Sequence, residues 1–261
     1  EMYQAGADVN ATNPLPYVGL GKVQWYQGKQ TEAKASFYKA TTLGGGKNAT
    51  VLLKIAETYI NADKKNLPEA FTLLATAAKL DPKNPEVYLF MGDAYLEQND
   101  GSKAIENYEK AGSLDPKSVR AILRQGQLYN RAKNYTLALD LYKKASLIDS
   151  SFAPAYREKA EIFFRAGQYN NAVAQYKKYL QLNDNCGARG RYAGFLFKAK
   201  QYALSIEASK EAKKCDPNNV YLDRYLAYDY YETADYPSGL ASSQAFFSKA
   251  SPEKILPLDC E

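Results

Sequence analysis

Histidine is absent from the 261 residues of this chain. Histidine is the commonest general base near neutral pH and the commonest metal ligand in proteins. Its absence excludes any catalytic triad built on Ser-His or Cys-His pairs within the chain. We therefore expect no enzymatic activity and no bound cofactor or metal.

Other features that the sequence lacks exclude further classes of protein. No apolar run approaches the roughly 18 residues that a membrane-spanning helix needs, so no membrane span is predicted. The net charge of +5, from 34 Lys and Arg against 29 Asp and Glu, is too small to indicate a nucleic-acid partner. The chain begins at Glu1 without a basic or apolar leader, and we interpret it as a processed protein or a fragment. The sequence is compatible with a location in the periplasm or cell envelope and with one in the cytoplasm.

What the sequence does contain is a repeat of about 34 residues. Its clearest copy runs from Pro85 to Ser118. The residues that mark it are Tyr88, Met91, Gly92, Tyr95, Ala104, Tyr108, Ala111 and Pro116. They follow the pattern W-x2-L-G-x2-Y, A-x3-F, P with conservative changes, and on this basis the chain resembles the tetratricopeptide repeat (TPR) family.

The same register can be laid over the whole chain. Units then begin near Pro14, Ala49, Pro85, Val119, Ala153, Cys186 and Val220. Position 20 of these units holds Ala33, Ala70, Ala104, Ala138, Ala172, Ser205 and Gly239, and positions 8 and 27 are also mostly small. Small side chains let two helices approach closely where they cross, and the many tyrosines fill the flanks.

These observations predict an all-α fold, an α-solenoid of antiparallel helix pairs. The resemblance implies a right-handed superhelix with seven TPR units in residues 14–253. Residues 1–13 fit the second helix of a preceding partial repeat, and residues 254–261 fit the start of a following one. A natural array closes with polar capping helices, so we interpret the chain as a piece of a longer protein.

Two motifs have simpler interpretations than a functional one. Gly44–Gly46 and Lys47 resemble a phosphate loop, but Thr41 and Asn48 stand where that motif needs glycine and Ser or Thr. We predict a turn between repeats there. Cys186 and Cys215 fall at the same end of one predicted helix pair, where a disulfide is geometrically feasible. We favour separate buried or half-buried thiols.

The TPR resemblance implies that the first helix of each unit lines a concave groove, through positions 2, 5, 6, 9, 12 and 13. From Val119 onward the candidate partner-binding residues are Arg120, Arg124, Gln127, Arg131, Arg157, Phe164, Arg165, Arg191, Phe197, Arg224 and Tyr231. Two earlier units place Glu57, Glu86, Asp93 and Glu97 on the same face. We therefore expect a groove that is acidic toward one end and basic with aromatic faces toward the other.

Arginine suits carboxylate recognition and aromatic side chains supply anchors, so a partner with an acidic segment fits this groove. We expect Arg124, Arg157 and Arg191 to form one basic channel, unless neighbouring acids such as Glu158 or Glu161 neutralise it. The asparagines with which TPR co-chaperones hold chaperone tails are missing from position 9, so that clamp is not predicted.

The sequence thus favours a protein–protein interaction scaffold. One alternative is a purely structural module that stacks on flanking domains, with self-association through exposed repeat ends. An RNA-binding helical repeat is a further alternative, although its families use a 35-residue unit and polar code positions. The chain is also similar to TPR segments of bacterial envelope proteins, on residues 191–197 and Ile255-Leu256-Pro257.

Overall fold

A computed structural model describes Tyr3, Gly6 and residues 9–260 of the chain. The described residues contain α-helices and short 3-10 turns and no β-strand. The prediction of an all-α fold built from helix pairs is confirmed.

The chain divides into two compact units, one up to Ala132 and one from Lys133 onward. The first unit contains α1 Pro14–Tyr26, α2 Gln30–Leu43, α3 Ala49–Asn61, α4 Leu67–Leu80, α5 Pro85–Glu97, α6 Gly101–Leu114 and α7 Val119–Arg131. The second unit contains α8 Tyr135–Ile148, α9 Ala153–Arg165, α10 Tyr169–Leu182, α11 Cys186–Lys198, α12 Tyr202–Cys215, α13 Val220–Glu232 and α14 Tyr236–Lys249. The odd-numbered helices begin at the residues at which the periodicity placed the repeat units.

Polar caps fix where the odd-numbered helices begin. Each of these helices except α9 starts after a residue whose side-chain oxygen accepts a hydrogen bond from a backbone N–H in the first turn. The capping residues are Asn13, Asn48, Asn84, Ser118, Asn185 and Asn219. Such caps satisfy donors that the helix itself leaves without partners, and they set the helix start in the sequence.

The turns inside the helix pairs share one backbone feature. The second residue before the second helix has a positive φ in every turn except the longer one between α3 and α4. These residues are Gly28, Asn99, Lys133, Gly167, Lys200 and Ala234. A single left-handed residue reverses the chain over a short distance, which allows paired helices to run antiparallel.

The small residues of the repeat lie in the core, where helices touch. Ala33, Ala70, Ala104 and Ala172 have no exposed surface. Gly92 shows why the register is strict, because a Cβ atom there would lie 2.3 Å from the ring of the fully buried Tyr108. The tyrosine therefore occupies the space that the missing side chain leaves.

The prediction of separate thiols at Cys186 and Cys215 is wrong. The structure joins them in a disulfide, with their Cα atoms 5.9 Å apart. Cys186 begins α11 and Cys215 ends α12, so the two residues meet at the open end of one antiparallel pair. This distance lies within the usual range for disulfides.

The first end segment is described only in part, and the last one forms short turns. Tyr3, Gly6 and Val9 are helical, and the other residues of 1–8 lie outside the described part of the chain. Pro252–Lys254 and Pro257–Cys260 form two 3-10 turns. Among the described residues, every helix is too short or too polar to cross a bilayer.

Candidate functional site

Two predicted groove residues of the first compact unit, Arg120 and Arg124 on α7, pair with acids of α5. Nη1 of Arg120 lies 2.5 Å from Oε2 of Glu86. Nε and Nη2 of Arg124 lie 2.9 and 3.3 Å from the two carboxylate oxygens of Asp93. Each arginine therefore joins its own repeat to the preceding one.

Asp93 is the centre of a small buried network. Its Oδ1 also accepts a hydrogen bond from the hydroxyl of Tyr108 at 2.8 Å. Burial raises the pKa of Asp93, although Arg124 and Tyr108 act in the opposite direction. Nη1 of Arg124 donates to Oε1 of Gln127 at 3.1 Å, so this guanidinium group is engaged on several sides.

In the second compact unit, Arg191 of α11 forms the most complete of these pairs. Its Nε and Nη2 donate to the two carboxylate oxygens of Glu161 at 3.0 and 2.7 Å. The guanidinium also lies 4.9 and 4.8 Å from the ring centres of Phe164 and Phe195. Those two rings stack at 4.7 Å, so Arg191 is held by charge and by aromatic faces together.

The two arginines of α9 also contact groups of this chain. Nη2 of Arg157 donates to Oε1 of Glu158 at 2.9 Å. Nε of Arg165 donates to the backbone oxygen of Glu161, and its guanidinium lies 5.7 Å from the ring centre of Tyr135. Arg131 lies exposed in the last turn of α7.

The basic channel expected from these arginines stays a prediction, and none of its three arginines is unpaired. Arg124, Arg157 and Arg191 each contact a carboxylate, as the alternative of neighbouring acids proposed. Where the acidic and basic helices meet, Glu86 and Asp93 of α5 pair with arginines of α7. The sequence signal was the spacing of acid and arginine, at 34, 31 and 30 residues, close to one repeat.

Aromatic side chains form a second surface on α11, on α13 and at the start of α14. We define the aromatic surface as Phe197, Tyr225, Tyr228, Tyr231 and Tyr236. The ring centres of Phe197 and Tyr225 lie 5.1 Å apart in a stacked arrangement, and that of Tyr228 lies 5.9 Å from Phe197. The ring centres of Tyr231 and Tyr236 lie 5.7 Å apart. Tyr231 and Tyr236 are 66% and 60% exposed. These two rings contribute little to the core.

Arg224, the last predicted groove arginine, contacts the end of the chain. Its Nη2 lies 2.8 Å from Oδ2 of Asp259, and the hydroxyl of Tyr228 donates to Oδ1 of Asp259 at 3.1 Å. Sequence reasoning placed Asp259 in the first turns of a following helix and missed this contact. Its signal is again a spacing of about one repeat, at 35 residues.

No group of three or more metal-binding side chains is found in the part of the chain that the structure describes. The fold and the surfaces described above define an array of helix pairs.

Comparisons with known proteins define this class further. Family models described as tetratricopeptide repeat match residues 16–43, 62–106, 91–154 and 153–186, together more than half of the chain. The chain belongs to the tetratricopeptide repeat family. No curated protein matches the sequence significantly.

Solved structures share the fold at low sequence identity. Yeast Tom70 is similar with a TM-score of 0.64 at 16% identity, over 97% of this chain and 54% of Tom70. A chain of the APC/C hetero-tetramer Cut9-Hcn1 gives 0.65 at 16%, over 87% and 45%. PilF of Pseudomonas aeruginosa gives 0.60 at 16%, over 90% and 99%. The chain thus spans about half the length of the first two, and these similarities establish the fold alone.

Proposed function

We propose that this chain is a protein–protein interaction scaffold that holds a segment of a partner protein against its odd-numbered helices. The observation that supports this most directly is the aromatic surface, whose outer ring on α13, Tyr231, is largely exposed. Large aromatic side chains that face water are typical anchors of protein interfaces, because they bury much area and lose little conformational freedom on binding.

The arginines have a different part in this proposal. In the first compact unit, Arg120, Arg124, Gln127 and Arg131 remain candidate groove residues. In the second unit, Arg157, Phe164, Arg165 and Arg191 remain so. Because four of these arginines already contact acids of this chain, an acidic partner would have to compete with those acids. Their main contribution is to hold neighbouring helices and aromatic rings in place.

The similar structures support an interaction function in general terms. One of them is a chain of a complex, the hetero-tetramer Cut9-Hcn1. A fold that forms such assemblies presents long rows of side chains from successive helices, which suits an extended or helical partner segment.

A photocrosslinking amino acid at position 231 tests the proposal. We expect crosslinks from position 231 to one partner in cells that contain the full-length protein, and their loss when Phe197 is replaced by alanine. Phe197→Ala should weaken this binding by about tenfold or more, as is usual for a central aromatic anchor.

Tyr38 provides the matched control. It is a tyrosine of α2 with 75% exposure, and it is not part of the proposed surface. Equal crosslinking from positions 38 and 231, or undiminished capture by the Phe197→Ala variant, would show that the aromatic surface is not the binding site.

A further inference from the structure

The end of the chain folds back onto α13 through one buried carboxylate. The side chain of Asp259 is only 3% exposed and that of Arg224 only 12%. Besides Arg224 and Tyr228, the backbone N–H of Leu256 donates to Oδ2 of Asp259 at 2.7 Å. Three donors from two segments therefore converge on this carboxylate.

The arginine in this site is positioned by its surroundings. Its guanidinium lies 4.8 Å from the ring centre of Phe246 and 5.6 Å from that of Tyr221. Nη2 also donates to the backbone oxygen of Lys254. A guanidinium held between aromatic faces keeps its donors aimed in one direction, which favours a carboxylate with a neighbouring carbonyl.

Arg224 differs from the other groove arginines in its partner. Arg120, Arg124 and Arg191 pair with acids on helices of the preceding repeat. Arg224 pairs with an acid in a 3-10 turn, a short element without the stabilisation of a full helix pair. Such an element can leave the site at a lower cost than a core helix can.

We propose that Arg224 and Tyr228 form a binding site for an aspartate presented in a tight turn, and that the turn Leu256–Asp259 is its resident occupant. An aspartate-containing turn of a partner would compete with it. This competition rests on the proposed function, because Tyr228 also belongs to the aromatic surface. The self-occupied site itself does not depend on that function.

Hydrogen exchange measured by mass spectrometry on the full chain tests the resident turn. Asp259→Ala should speed exchange of the Leu256 amide by about tenfold or more, because the amide loses a charged acceptor and the turn loses Arg224. Glu253→Ala is the control in the same segment, since Glu253 contacts only Ser251 among the hydrogen bonds described. It should leave exchange at Leu256 unchanged.

A synthetic peptide of residues 251–259 then tests the site in trans. We expect it to bind the Asp259→Ala chain about tenfold more tightly than the unaltered chain, because its site is vacated. The same peptide with asparagine in place of aspartate should bind the variant more weakly, and Tyr228→Phe should weaken binding of the original peptide.

Equal exchange at Leu256 in the unaltered and Asp259→Ala chains would overturn the proposal. So would equal peptide affinity for both. If these two measurements succeed while photocrosslinking at position 231 captures no partner, the self-occupied site stands and the proposed scaffold function fails.

Discussion

At the scale of single residues, Asp229 on α13 is the most unusual group in the second unit. It is fully buried, and neither of its carboxylate oxygens has a hydrogen-bond partner in the described part of the chain. Ser205 and Ser209 of α12 are likewise fully buried, and the nearby Ser205 hydroxyl acts to lower the pKa of Asp229. Burial dominates and, with the nearby charge of Glu232, raises the pKa of Asp229 to about 7.

This pKa predicts a definite pH dependence of stability. A carboxyl group whose pKa is higher in the folded than in the unfolded state makes its full contribution to stability at low pH, where it is protonated in both states. That contribution is lost as the pH rises from about 4 to about 7, since the unfolded state ionises first. The loss amounts to at most about 4 kcal/mol in the free energy of unfolding.

Asp229→Asn removes the titrating group while keeping its shape. We expect the free energy of unfolding of the variant, from urea titrations, to rise relative to that of the unaltered chain between pH 4 and pH 7. Glu207→Gln, at an exposed carboxylate of α12, should follow the unaltered chain throughout. Parallel pH profiles for Asp229→Asn and the unaltered chain would contradict the assigned ionisation.

At the scale of helices and turns, the left-handed turn residue is a simple source of strain. Gly28 and Gly167 adopt it at φ of 79° and 72°, and Ala234 adopts it at 61°. Glycine has no Cβ to clash in this conformation, whereas alanine does.

Ala234→Gly should therefore stabilise the second unit by about 1 kcal/mol, and Gly167→Ala should destabilise it by about the same amount. Thermal unfolding measures both changes. Ala166→Gly is the matched control, because Ala166 has a φ of −79° and a glycine there only gains freedom in the unfolded chain. Ala166→Gly should lower the melting temperature. A rise in the melting temperature of both the Ala234→Gly and the Ala166→Gly variants would refute this explanation.

The helix pairs could be predicted from the sequence because their signals are local and repeated. Small residues at the crossings and an asparagine before most odd-numbered helices each act within a few residues of the structure that they determine. The ion pairs could not be predicted in the same way. Arg191 of α11 pairs with Glu161 of α9 beside the stacked rings of Phe164 and Phe195, an arrangement set by packing between two helices.

The disulfide and the contact of Asp259 were missed for a related reason. Periodicity placed Cys186 and Cys215 at the same end of a helix pair, but it does not give the distance and direction of their Cβ atoms. For Asp259 the repeat pattern suggested a helix, whereas Pro252 and Pro257 start short turns instead.

At the scale of the whole molecule, apolar side chains at the end segments remain in water. Leu256 and Leu258 are 52% and 60% exposed beside the resident turn, and Val9 is exposed near the other end. We expect self-association that depends on concentration, because burying each leucine contributes about 1.5 to 3 kcal/mol.

Replacement of both Leu256 and Leu258 by serine should weaken this association by about tenfold or more. Sedimentation velocity over a range of concentrations measures it. Leu147→Ser is the control, because Leu147 is 76% exposed on α8, away from the end segments. A chain that is monomeric at all accessible concentrations would contradict the prediction.

The bond between Cys186 and Cys215 also has a mechanical consequence. When the chain is pulled from its two ends, tension passes directly from one cysteine to the other across the bond. The 29 residues of sequence separation between them cannot be drawn out. At about 3.5 Å per extended residue, reduction should lengthen the fully stretched chain by roughly 100 Å. Under load, α11 and α12 are thus shielded from the force that would unravel every other helix pair.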